Sequence, residues 1–207
     1  RNVHTLLAGQ GERRPAWPAR ARAALELHAR NRVPAFPAPT LPYDEYWAAL
    51  GPVIDASPAI SREEVGRSSS GKPIYLVRAG TGPTRVLFWS QMHGDETTAS
   101  RALVDLFNTI AANPQDPQVR AWLSSLTILA VPMLNPDGAD AHRRRSEFGI
   151  DINRDARTLS TPEARTLKSV QERYRPDFGF NLHDQNPRSR VGREDRTAAI
   201  ALLAPPP

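Results

Sequence analysis

Hydrophobic positions along the 207-residue chain change period several times, and each change marks an element. Residues 86–89 are a continuous apolar run of strand length, 126–131 and 178–182 repeat the pattern, and 198–203 reads as a fourth strand. Short unbroken apolar runs bounded by turn formers suit strands buried on both faces. Upstream, residues 60–65 and 74–78 flank Gly66-Arg-Ser-Ser-Ser-Gly71, and a turn at Ser70-Gly71 predicts a hairpin at the sheet's edge. Ala99, Ala102, Leu103, Leu106, Phe107 and Ile110 fall on one helical face, which Asn113-Pro114 ends. Asp116-Pro117 opens a shorter helix through Trp122, with the aspartate as cap and the proline in the first turn. Ser160-Thr-Pro-Glu163 has capping-box spacing ahead of a helix that carries Ala164, Leu167, Val170 and Tyr174 inward, and Pro176 stops it.

The first part of the chain reads differently. An Ala/Arg-rich helix is predicted over residues 19–30, the prolines of 33–39 forbid regular structure after it, and a short helix begins near Pro42 and covers 43–50. Residues 1–40 are therefore expected to be an arm and linker, and 41–207 a domain. Strands alternating with helices give the expected fold class: a single α/β domain with a mixed, mostly parallel β-sheet flanked by helices.

Composition removes some functions and leaves others. The net charge is +5, which raises the question of nucleic acid. Nearly all the cations are arginine, with only Lys72 and Lys168 as lysines, and the densest stretch, residues 13–32, has neither an RNA-binding sheet pattern nor zinc-finger spacing. A solvated helix face is the expectation, with no nucleic-acid partner. No apolar run is long enough to span a bilayer, and the absence of cysteine excludes disulfides and thiolate ligands. The chain begins with Arg1 rather than Met, which leaves room for an upstream export signal.

The chemistry concentrates where strands end. The run at 86–89 delivers His93 and Gly94, where Gly94 can make a sharp turn, and Glu96 in the first turn of the helix. Two readings of this segment are open: half of a Zn²⁺ site that needs a third ligand, or a glutamate complementing the helix dipole beside a hydrogen-bonded histidine. Two more apolar runs also end in polar residues, the first leading to Asn135-Pro-Asp-Gly138 and then Asp151-Ile-Asn153-Arg154, the second to His183. With His183 the set becomes two imidazoles and a carboxylate, which is a catalytic zinc set with an open position for water.

These residues together resemble the zinc carboxypeptidase family. The resemblance is carried by His93-Gly-Asp-Glu96, Asn135-Pro-Asp-Gly138, the arginines 143–145 before Gly149, Asp151-Ile-Asn153-Arg154, and His183 after Phe178-Gly-Phe-Asn-Leu182, and it covers Gly66 to about Asp184. It implies that His93, Glu96 and His183 bind Zn²⁺ and that Asp151 orients the first histidine through its other ring nitrogen. It also implies that Asn153 and Arg154 hold a substrate's terminal carboxylate, for which guanidinium is a planar fork. One arginine of the run should stabilise the oxyanion; Arg144 is preferred, with Arg143 and Arg145 as competitors. Taken singly, these arginines would read as a solvated loop and Asp151 as a turn carboxylate.

The sequence also departs from the family. Asp95, Asp155 and Asp184 place anions where digestive members carry cations or neutral residues; they would favour a cationic substrate group or neutralise nearby arginines. The family's general-base glutamate lies on a later strand, and after His183 only Asp184, Glu194 and Asp195 are available, none in the matching context. The expectation is a domain incomplete at its C-terminus. The implied activity is hydrolysis of a peptide bond next to a free C-terminal carboxylate. The alternatives are a zinc amidohydrolase of N-acyl amino acids or cell-wall peptides, and a non-catalytic peptide or carboxylate binder.

Overall fold

A computed structural model describes residues 17–33, 36 and 38–184. Helix α1 (Trp17–Asn31) and helix α2 (Tyr43–Asp55) precede a sheet built from β1 (Ile60–Arg67), β2 (Pro73–Ala79), β3 (Thr84–Trp89), β4 (Leu126–Val131) and β5 (Phe178–Asn181). Helices α3 (Thr98–Ala112) and α4 (Pro117–Ser125) connect β3 to β4. After β4 come the short α5 (Pro136–Asp140), a single 3₁₀ turn (Ile152–Arg154), and α6 (Pro162–Tyr174).

The strand order is β1-β2-β4-β3-β5. The sheet is mixed: β4, β3 and β5 run parallel, β1 and β2 form the expected antiparallel hairpin, and β2 joins the sheet antiparallel to β4. Gly71, at φ +84°, takes the left-handed conformation that this hairpin turn needs. The predicted strand at 198–203 lies outside the described residues.

Strict alternation along the central strands sends side chains to two cores. Val77, Ala79, Ile128 and Ala130 face a core closed by α1 to α4, and Ile74, Leu76, Leu87, Leu129 and Val131 face a second core closed by α6. The result is a helix–sheet–helix sandwich, the arrangement that βαβ crossovers impose on a parallel sheet. On α6, Ala164, Leu167 and Val170 are buried and Tyr174 packs partly against them, as their spacing requires.

Several local expectations are corrected. The buried face of α3 is Leu103, Val104, Phe107 and Ile110, rotated from the predicted stripe, so Ala102 is exposed. Polar Ser100 takes an inward position because its hydroxyl donates to the Pro132 carbonyl at 2.6 Å. Helix α2 continues past residue 50 through Pro52. The cap of α6 is Thr161, whose hydroxyl accepts from the Ala164 amide, and Glu163 instead accepts from the Ser69 amide and hydroxyl across the domain. Helix α4 matches its expected cap, with Asp116 accepting from the amides of Gln118 and Val119. The strand at 178–182 is not buried. Phe178 and Phe180 are 37% and 42% exposed at the sheet's edge, Phe180 stacking on Phe88 of β3.

Parallel strands set the site's position. The chain leaves β3 for β4 with α3 and α4 on one face, then reaches β5 on the other side of β3 with α6 on the opposite face. The carboxyl ends of β3, β4 and β5 therefore open on a crevice where strand order reverses, the place such sheets use for ligands.

Candidate metal centre

The turn after β3 is held before it presents any ligand. Gln91 is fully buried at φ +41°, and its side-chain amide donates to the Gly94 carbonyl at 3.1 Å and the Leu41 carbonyl at 3.5 Å. Thr97 donates to the Pro39 carbonyl, so the segment before α2 braces both ends of the turn. Gly94 is required for a reason other than a sharp turn. A Cβ there would lie 1.9 Å from the Gly138 carbonyl carbon, because the backbones of the turn and α5 touch. Glu96 precedes α3 rather than joining its first turn, since the helix starts at Thr98.

His93, Glu96 and His183 converge, with one potential ligand atom from each all within 4.8 Å of one another. His93 is 1% exposed; its Nδ1 lies 2.8 Å from Glu96 Oε1 and its Nε2 3.1 Å from Asp151 Oδ1. His183 stacks on His93 at 4.7 Å between ring centroids and brings its own Nδ1 to 2.6 Å from Glu96 Oε2. Asp151 also accepts from the Asn153 amide at 3.0 Å, which fixes its carboxylate on the 3₁₀ turn.

This donor set fits a divalent cation. Because an ionised Asp151 can only accept from His93 Nε2, that nitrogen carries a hydrogen, and in the neutral ring Nδ1 is left as the available lone pair. A lone pair facing a carboxylate oxygen at such a distance requires positive charge on or between the two atoms, and His183 repeats the situation on the other oxygen of Glu96. One Zn²⁺ would meet both needs with ligands of the right type. The same attractions govern the proton equilibria when a proton, rather than a cation, lies between each Nδ1 and Glu96. Burial raises the Glu96 carboxyl, but the hydrogen bonds from His183 and His93 outweigh it and hold the group at about 2. Burial lowers the His93 imidazole, but the hydrogen bond and charge of Glu96 together with the hydrogen bond to Asp151 outweigh it and the pKa is raised. Burial likewise raises Asp151, and contacts with His93 and Arg144 reverse the effect.

Of the arginine run, Arg144 reaches this cluster. Its Nη2 donates to Asp151 Oδ2 at 3.0 Å and its Nη1 to Glu96 Oε1 at 3.4 Å, while 44% of the side chain stays exposed. Arg143 pairs with Glu147, and Arg145 donates to the Gly149 carbonyl. Arg154 is exposed on the 3₁₀ turn, its backbone amide donates to the Asp151 carbonyl at 2.9 Å, and its side chain has no hydrogen-bond partner among the described residues. Two of the three extra anions, Asp155 and Asp184, are engaged by neighbouring donors, while Asp95 is exposed. Asp155 accepts from Thr158, Ser160 and Thr161 within its own loop, and Asp184 accepts from the Thr98 amide at the start of α3.

Comparison with known proteins decides the family. The zinc carboxypeptidase family model matches residues 51–201, well over half of the chain. The chain belongs to the zinc carboxypeptidase family. Among curated relatives, mouse carboxypeptidase D is 28% identical over 177 residues, which cover 63% of this chain and 13% of that protein. Among solved structures, a metallo-carboxypeptidase from Burkholderia cenocepacia superposes with a TM-score of 0.63 at 25% identity, covering 70% of this chain and 41% of that one. A Pseudomonas aeruginosa metallo-carboxypeptidase shares the fold with a TM-score of 0.62 at 23% identity, over 70% of this chain and 40% of that one. The zinc carboxypeptidase chain in hand thus spans less than half the length of each of these three relatives. Among its described residues, no helix is long and apolar enough to cross a membrane.

Sequence reasoning passed over Asn181. Its amide donates to Asn153 Oδ1 at 3.3 Å and to Met92 Sδ at 3.5 Å. The signal was present, since Asn181 ends β5 only two residues before His183.

Proposed function

We propose that the chain carries the zinc centre and substrate grip of a metallocarboxypeptidase that hydrolyses a peptide or amide bond beside a free carboxylate. His93 and His183, each through Nδ1, and Glu96 would hold the Zn²⁺. When bound, the ion supplies Lewis-acid polarisation of a carbonyl and acidification of water. The observation that carries the reading is the convergence of these three groups from two strand ends, with Asp151 taking the remaining nitrogen of His93.

The other residues act on substrate. Arg144 hangs over the cluster from an exposed position and supplies the cationic donor for a developing oxyanion, leaving its present carboxylate partners to do so. Arg154 projects into solvent on the turn next to Asn153, and the two grip the terminal carboxylate. No carboxylate among the described residues contacts the cluster beyond Glu96 and Asp151. Both are committed to ligation or orientation, so this reading assigns the proton-accepting base to neither.

The test is metal analysis with substrate comparison. Wild type should retain one zinc per chain, and His93→Ala and His183→Ala should abolish stoichiometric retention. Zinc content unchanged in both variants would overturn the ligand set. In an active preparation, C-terminally amidated peptides should be cleaved far more slowly than free acids. Equal rates would remove the role given to Arg154, and a preference for N-acyl amino acids over peptides would select the amidohydrolase.

A further inference from the structure

From the geometry around the 3₁₀ turn we infer that Asn181 is a positioning residue that sets which end of the Asn153 carboxamide faces the substrate; this rests on the carboxylate-gripping role of Asn153 and deepens it. A carboxamide presents either two N–H donors or a carbonyl acceptor, and only the donor end attracts a carboxylate. Nothing in the side chain of Asn153 alone selects the donor end.

Asn181 makes that selection. Its nitrogen lies 3.3 Å from Asn153 Oδ1 and 3.5 Å from the Met92 sulfur, and a thioether can only accept, so the donor end of Asn181 is fixed on this side. Asn153 must then offer its oxygen inward and its two N–H donors outward. The backbone is fixed as well, because the Asn153 amide donates to Asp151 Oδ1. Asn181 Oδ1 is buried with no hydrogen-bond partner among the described residues. A buried, unpaired carbonyl is costly, so the contacts made by the amide nitrogen must hold the group against that cost. It is consistent with an amide held in orientation by what its nitrogen does. Asn181 reaches the site because β5 pairs in parallel with β3 and places it opposite Trp89, at the same sheet end as the His93 turn.

Two substitutions test the inference by NMR titration of the full chain with N-acetylglycine and, separately, N-acetylglycinamide, following the Asn153 side-chain NH₂ resonance. Asn181→Asp can only accept, so Asn153 turns its nitrogen inward and its oxygen outward. Acid affinity should fall roughly tenfold, the loss of one charge-assisted hydrogen bond, while amide affinity holds or rises. Asn181→Ala adds no charge and should lower the acid-to-amide preference by a smaller factor, which separates orientation from electrostatic repulsion. Arg154→Ala reports on the underlying reading. If it weakens acid binding while both Asn181 variants keep the wild-type acid-to-amide ratio, the inference about Asn181 fails alone. If wild type shows no saturable preference for the acid, the carboxylate site fails and the inference falls with it.

Discussion

Asp151 and Asp155 flank one 3₁₀ turn, carry the same side chain, and do opposite work. Asp151 is spread across three elements, accepting from the His93 ring, the Arg144 guanidinium and the Asn153 amide. Asp155 is 2% exposed and is satisfied entirely by Thr158, Ser160 and Thr161, just downstream. Both carboxyls are held below the usual range. For Asp155, burial raises the group and the hydrogen bonds from Thr158, Ser160 and Thr161 outweigh it. One aspartate holds the His93 ring and the other ties its own loop together, so charge and proximity to a motif do not by themselves mark function.

The comparison is broken hardest by removing Asp155. Asp155→Ala would leave the buried Thr161 amide and hydroxyl without an acceptor, and should cost about 3 kcal/mol in denaturant unfolding. Zinc per folded chain should be unchanged. Asp151→Asn should do the reverse, lowering zinc affinity by roughly 10–100-fold in a competitive chelator titration, with a smaller change in stability.

A pH series sharpens the contrast. The folded pKa of Asp155 lies below its unfolded value, so its contribution is complete above the unfolded pKa and is lost as pH falls towards the folded one. The stability gap between wild type and Asp155→Asn should be full above about pH 4 and close progressively in more acid solution. A gap that widened on acidification would contradict the loop role. The smallest stability effect belongs to Arg154→Ala, expected within about 0.5 kcal/mol of wild type because the side chain is exposed. Its consequence should be confined to carboxylate binding, read by titration with a free-acid ligand.

Much of this was legible in the sequence because the informative signals are local. The unbroken run at 126–131 fixed β4, Asp116-Pro117 fixed the start of α4, and the spacing of Ala164, Leu167 and Val170 gave the inward face of α6. What escaped depends on partners distant along the chain. Phe178 and Phe180 look like core residues in sequence, and only the strand order puts them at an edge. Glu163 has the spacing of a reciprocal cap, but the serine loop of the β1–β2 hairpin offers it two donors instead. The preference for Arg144 rests on its resemblance in position, five residues before Gly149, and the loop's length keeps Arg143 and Arg145 as competitors. In the fold, Glu147 and the Gly149 carbonyl engage the neighbours, and Arg144 reaches the cluster.

The bracing of the His93 turn by Pro39 and Leu41 carries a mechanical implication. The segment ahead of α2 acts as a leash on a histidine that lies far downstream, through backbone carbonyl groups. The firmness of the His93 turn is therefore borrowed in part from residues that never approach the His93, Glu96 and His183 cluster. Proteolytic nicking between α1 and α2 should blunt metal retention while the strands stay assembled.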